Sequence, residues 1–184
     1  MKGSYSIDPA VFVDDDGSAY IYFGGIWGGQ LQRWESGSYD ENGSLKDIGV
    51  PDNPAILPRM AKLTNDMLEF AEEVKSIEIL DKQGNPILTK DLDRRFFEAP
   101  WIHKHNGTYY LSYSTGDTHL LAYATGDNPY GPFTYKGVLN EPVQGWKNHH
   151  STLKVGNQGL LFYHDTEISR KKHPRNDKST TFKQ

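Results

Sequence analysis

The chain has 184 residues, no cysteine, and 20 basic against 24 acidic side chains, for a formal net charge of −4. One domain accounts for that length, and a balance this close to neutral lacks the basic footprint of a nucleic-acid binder or a polybasic membrane segment. A disulfide framework, a thiolate zinc site and a cysteine nucleophile are excluded together.

Eighteen glycines, ten prolines and short apolar runs rich in tyrosine and phenylalanine predict an all-β chain of brief strands and tight turns. The N-terminus carries no apolar stretch of leader length, and no run is long enough to span a bilayer. A cytoplasmic location is expected if that N-terminus is native. The first hairpin is read from Asp8-Pro9-Ala10-Val11-Phe12-Val13, the turn Asp14-Asp15-Asp16-Gly17 and the strand Ala19-Tyr20-Ile21-Tyr22-Phe23. Its acidic run resembles part of a calcium loop but lacks the remaining ligands, and reads as a solvated turn. Next comes Gly24-Gly25-Ile26-Trp27-Gly28-Gly29, where a large ring among four glycines suits a pocket wall. In residues 60–80 the near-helical spacing of Met60, Leu63, Met67, Leu68 and Ala71 competes with the turn Thr64-Asn65-Asp66, and strand, turn and loop is the favoured reading.

The second hairpin is Glu98-Ala99-Pro100-Trp101-Ile102-His103, the turn Asn106-Gly107 and Tyr109-Tyr110-Leu111-Ser112-Tyr113. Two further strands, around residues 120–124 and 133–137, complete a four-stranded unit. The third hairpin is read from His149-His150-Ser151-Thr152-Leu153-Lys154 and Leu160-Leu161-Phe162-Tyr163-His164, with its turn at Gly159. The polar stretch 166–184, lysine-rich and unpatterned until Thr180-Thr181-Phe182, is expected to fray, leaving a core over about residues 1–165.

These hairpins repeat. Asp8 and Glu98 stand at the same offset before their turn glycines, and His149 stands one residue further from Gly159. A repeated hairpin with an ionisable residue at its start suits a β-propeller, whose innermost strands would bring those residues together around a channel. The interval between Gly17 and Gly107 exceeds one blade and predicts an insertion.

Two carboxylates and a histidine in one polar channel are the parts of acid–base glycoside hydrolysis. Glu98, among Phe96, Phe97, Ala99, Pro100 and Trp101, is the candidate acid, because apolar neighbours favour the proton-bearing carboxyl. Asp8 fits equally a carboxylate that accepts backbone N–H bonds, and its matched offset with Glu98 favours a role in the site. Of the two histidines only one can face the channel, since neighbours on a strand point to opposite faces, and the offset selects His149. Trp27, Trp34, Trp101, Trp146, Tyr113 and Phe97 could stack on sugar rings, although most aromatic residues in such a fold fill space between blades.

On these segments the chain resembles glycoside hydrolase family 43, the five-bladed propellers that include β-xylosidases and α-L-arabinofuranosidases. The run from Ser6 through Asp8 to Gly17 resembles the second-blade segment, which implies that Asp8 tunes and orients the acid. Arg95-Phe96-Phe97-Glu98-Ala99-Pro100-Trp101 with Asn106-Gly107-Thr108-Tyr109 resembles the third-blade segment, which implies Glu98 as general acid. Gly145-Trp146-Lys147-Asn148-His149-His150 resembles the segment of the axial histidine. There His149 would meet substrate or hold a calcium ion through water, and Arg175 would correspond to a sugar-contacting arginine. The resemblance implies an inverting hydrolase of xylo- or arabino-oligosaccharides with no required cofactor. Substrate contacts would come from Trp27, Phe97, Trp101, His149 and Arg175. The family's general-base aspartate lies in a first blade upstream of Asp8, and most of the last blade is also missing. The expectation is an incomplete propeller of about three blades, truncated at both ends and weakly active or inactive alone. It would tend to self-associate through exposed blade faces. The alternative is a noncatalytic carbohydrate-binding fragment.

Overall fold

The computed structural model describes residues 4–34, 38–43, 46, 48–144, 149–156, 158–165 and 179–183, the backbone alone for 29–30 and 179–183. Twelve strands fall into three sheets. The first is an antiparallel meander of β1 (Ala10–Val13), β2 (Ala19–Phe23), β3 (Arg59–Lys62) and the short β4 (Lys75–Ser76). The second runs β6 (Glu98–His105), β7 (Thr108–Ser114), β8 (Leu121–Gly126), β9 (Phe133–Asn140) in order, with β5 (Ile79–Leu80) added in parallel beyond β9. The third contains β10 (His150–Val155), β11 (Gln158–Asp165) and β12 (Ser179–Lys183). The opening strands of the three sheets adjoin, β6 touching both β1 and β10, so the three sheets stand as successive propeller blades.

The hairpins are dictated locally. Asn106 and Gly107 both adopt positive φ, 49° and 79°, and His105 pairs with Thr108 across them. That is a two-residue turn with the twist strands require, and Asn-Gly tolerates it best. Residues 60–80 form the expected strand and turn, with Leu63 bridging Phe70 and β4 following. The insertion between the first two hairpins holds a short 3₁₀ helix, Gly29–Trp34, which the sequence reading did not foresee. No helix among the described residues is long and apolar enough to cross a membrane.

Two expectations need correction. The third turn is not at Gly159: Val155 pairs with Gln158, so the turn lies before Gly159, which sits within β11 opposite Lys154. Gly156 carries the positive φ, 59°, that such a turn demands. The chain end also does not fray throughout, because 179–183 pairs with β11 from Asp165↔Ser179 to Leu161↔Lys183. The possible strand read at Thr180-Thr181-Phe182 is the centre of that pairing.

The main core lies between the first two blades. Tyr20, Tyr22 and Met60 meet Ile102, Leu111, Tyr113, Ala122 and Phe133 there, and the Tyr22 hydroxyl donates to the Pro129 carbonyl at 2.8 Å. The acidic turn cements the same seam. Lys104 Nζ lies 2.7 Å from Asp14 and 2.9 Å from Asp15, and the Tyr109 hydroxyl also donates to Asp14. The turn is therefore an inter-blade anchor. Burial pulls the Asp14 carboxyl upward, but hydrogen bonds from Lys104, Tyr109 and the Asp15 N–H outweigh it and leave Asp14 below the ordinary carboxylate range. Its stabilisation is present above the unfolded value near 3.8 and is lost as pH falls through the lower folded value.

The second and third blades meet differently, through polar groups. Trp101 Nε1 donates to Thr152 Oγ1 at 2.9 Å, the same oxygen lies 3.2 Å from His103 Nδ1, and Ser112 Oγ lies 2.6 Å from His150 Nε2. Burial first, and then the His105 charge, push the His103 imidazole below its ordinary value of 6.5. The unfolded chain then binds that proton more readily, so this contribution is complete above about pH 6.5 and is lost on acidification. Thermal melts at pH 7.5 and 5.5 should therefore show a Tm drop that shrinks in His103→Gln. An unchanged drop would remove His103 from the account.

Candidate active site

Asp8 precedes β1 at φ 52°, and Ala99, directly after Glu98, sits at φ 55°. Positive φ on residues with a Cβ is strained backbone, and it concentrates at functional sites. Of the five such residues described, Asp8 and Ala99 lie at the blade openings where the carboxylates converge, whereas Met67, Asn106 and His119 lie elsewhere. Glu98 is almost wholly buried, its side chain 5% exposed, whereas Asp8 is 21% exposed and His149 42%. His149 Nε2 stands 3.5 Å from Asp8 Oδ2 and 3.7 Å from Glu98 Oε1, and the three ligand atoms all lie within 4.8 Å of one another. One group from each blade thus meets at a single point.

An extended run just after β2 connects two of these blades. Gly24 N donates to the Ile7 carbonyl at 2.9 Å and Tyr5 N to the Gly25 carbonyl at 2.8 Å, while Ile26 N donates to the Phe97 carbonyl at 2.8 Å. Gly25 also bridges Glu98. Trp27 follows two residues later, half-buried. The glycines here serve close backbone approach more than mobility.

The other candidates are spread around this centre. Phe97 is 6% exposed and its ring packs where a Cβ on Gly116 would stand, so it forms the support beneath Glu98 and offers no open stacking face. Trp101 is half-buried and tied to the third blade through Thr152. His150 points away from the carboxylates into Ser112, so the two adjacent histidines do face opposite ways. Tyr113 is fully buried and donates to the Arg94 carbonyl at 2.7 Å, whereas Trp34 is exposed against Tyr39. Trp146 and Arg175 lie outside the described residues. The sequence reading missed Ser112 and Thr152, small hydroxyl residues on strands that carry no signal apart from their partners.

The sequence pattern of Glycosyl hydrolases family 43 matches residues 1–182. The chain belongs to that family. It is 59% identical over 174 residues to a xylosidase/arabinosidase 43A from Humicola insolens, covering 92% of this chain and 53% of that protein. A xylosidase/arabinosidase of Bacteroides ovatus is 56% identical over 167 residues, 90% of this chain and 50% of its own length. Among solved structures, a family 43 β-xylosidase/α-arabinofuranosidase from a compost microbial metagenome, in complex with xylotriose and in a calcium-free form, superposes with a TM-score of 0.87 at 61% identity. It covers 100% of this chain and 55% of its own. The chain spans about half the length of the family 43 relatives it matches, and its three blades are part of their five-bladed propeller.

The trio does not fit calcium by direct coordination. Calcium takes six to eight oxygen ligands, whereas this group presents two carboxylates and an imidazole nitrogen at ion-pair spacing.

Proposed function

We propose that this chain carries the acid half of an inverting glycosidase site for β-xylosides or α-L-arabinofuranosides, with Glu98 as general acid and Asp8 as the carboxylate that tunes and orients it. The observation that carries the assignment is the spacing of the trio. An inverting pair needs carboxyl groups about 6.5–9.5 Å apart to admit a water, and a retaining pair about 5–5.5 Å with the sugar between them. Asp8 and Glu98 lie closer than either range, and the His149 imidazole reaches toward both, so the two carboxyl groups are not spaced as an inverting or a retaining couple. Asp8 is accordingly a partner of the acid and cannot serve as its base. That base is not among the gathered side chains, and turnover by this chain alone should be weak.

Glu98 protonates the leaving oxygen from its buried position. The half-buried His149, on the exposed side of the pair, takes a sugar hydroxyl, and Trp27 and Trp101 are the aromatic side chains proposed to meet the sugar. A calcium ion held near His149 through water would add positive charge to the channel, but no step depends on it. The test is hydrolysis of aryl β-xyloside and aryl α-L-arabinofuranoside, with the anomeric configuration of the released sugar read by NMR and xylotriose binding measured alongside. Inverted product supports the assignment and retained product overturns it. Binding without any hydrolysis, unchanged in Glu98→Gln, would favour a noncatalytic sugar-binding role.

Self-association belongs to the same reading. Val11 and Val13 on β1 are 50% and 51% exposed, and Leu153 and Val155 on β10 are 55% and 53%. These residues occupy the outward faces of the first and third blades, away from the shared core. Light scattering should give a mass above one chain, lowered by Val11→Lys with Val13→Lys; a monomer at all concentrations would dismiss it.

A further inference from the structure

Gly25 occupies a place from which one side of the site can be moved without the other. The run 24–26 is paired on one edge with residues 5–7 and on the other with 97–98, so the segments leading to Asp8 and Glu98 are mounted on opposite edges of one extended strand. A Cβ at Gly25 would stand 2.4 Å from Ile7 Cδ1 and 2.9 Å from Ile7 Cγ1, but 3.5 Å from Glu98 Cβ. The first two distances are forbidden overlaps, while the third is ordinary contact.

We propose that Gly25 is a positioning residue that fixes the Asp8 carboxylate against Glu98, acting through the packing of Ile7 in its bare backbone. A methyl there presses on the Ile7 side chain, directly before Asp8, while its approach to Glu98 Cβ stays an ordinary contact. Asp8 has little freedom to absorb the displacement, because it is already held at φ 52° and is followed by Pro9, which restricts the residue before it.

The inference rests on the reading of Asp8 and Glu98 as a working pair, and its test has a readout that does not need turnover. In the full chain labelled with ¹³C at its carboxylates, Gly25→Ala should shift the Asp8 carboxyl resonance and the His149 ring signals. Gly159→Ala, whose Cβ would meet nothing within 4 Å, should leave them within wild-type scatter. Gly25→Ala with Ile7→Ala, which removes both overlapping carbons, should return them. Where hydrolysis is measurable, Gly25→Ala should lower kcat at least tenfold with KM within about threefold, and the double variant should recover most of it. Wild-type resonances in Gly25→Ala, or displaced ones that the double variant does not restore, overturn the proposal. If Gly25→Ala does not fold, folding of the double variant supports the wedge through Ile7, and failure of both overturns it. Hydrolysis insensitive to Glu98→Gln would overturn the catalytic reading while leaving the resonance test of Gly25 standing.

Discussion

Glu98→Gln is expected to lower hydrolysis of an unactivated xylo-oligosaccharide by about 10²–10⁴-fold, the usual contribution of a positioned general acid. The amide keeps the size of the side chain and its place opposite Ser114, but it cannot release a proton to the departing oxygen. The loss should therefore depend on the leaving group. A nitrophenoxide-type group departs without protonation, so activated aryl glycosides should lose far less than the oligosaccharide. Xylotriose affinity should hold within a few-fold, because the group removed acts on the leaving oxygen late in the reaction. Equal losses on both substrate types would mean that Glu98 is not the acid. Small carboxylates such as formate, added at high concentration, should raise the low rate of the unmodified chain by supplying the base that the trio lacks. They should not rescue Glu98→Gln on the oligosaccharide.

Gly116→Ala should be the most damaging glycine-to-alanine change among the described residues. Gly116 holds φ at +78°, and a Cβ there would stand 2.1 Å from Phe97 Cδ2 and 2.2 Å from Phe97 Cγ. The left-handed conformation costs about 1–2 kcal/mol for a residue with a Cβ, and overpacking adds roughly 1–3 kcal/mol. Together these predict a loss of about 3 kcal/mol, or roughly 6–12 °C in Tm for a chain of this size. Phe97 cannot yield without moving the acid, since its amide donates to the Ser114 carbonyl at 2.9 Å and Glu98 follows it. Gly159→Ala is the matched control. Its Cβ would meet nothing within 4 Å, so calorimetry should show a change within about 0.5 kcal/mol. Similar melting for the two variants would contradict the packing argument.

The parts of this architecture that were legible in the sequence are those written into the chain locally. Asn106-Gly107 specifies its turn by φ alone, and the strands beside it follow. The meeting of Asp8, Glu98 and His149 could be read because equivalent hairpins place equivalent residues at the axis. The alignment for His149 nevertheless used Gly159 where Gly156 makes the turn, so the inference reached the right neighbour through a wrong register. The pairing of β5 with β9 was not legible, since two residues carry no periodicity and a parallel partner lies far along the chain. Asp14 looked like a solvated turn because Lys104 and Tyr109, which bury it, belong to another blade. Phe97 looked like a sugar platform because a sequence shows that a ring is present and does not show what stands in front of it.

The unequal joints between blades set the order in which the site comes together. The first two blades share an apolar core and carry Asp8 and Glu98. The third is attached to the second by hydroxyl, indole and imidazole groups, and Leu161 and Asp165 are the buried residues among its described positions. Opening that joint exposes little apolar surface, so its amides should exchange with solvent sooner than those of β7 and β8. The two carboxylates then form a standing pair, and His149 comes and goes with the blade that bears it.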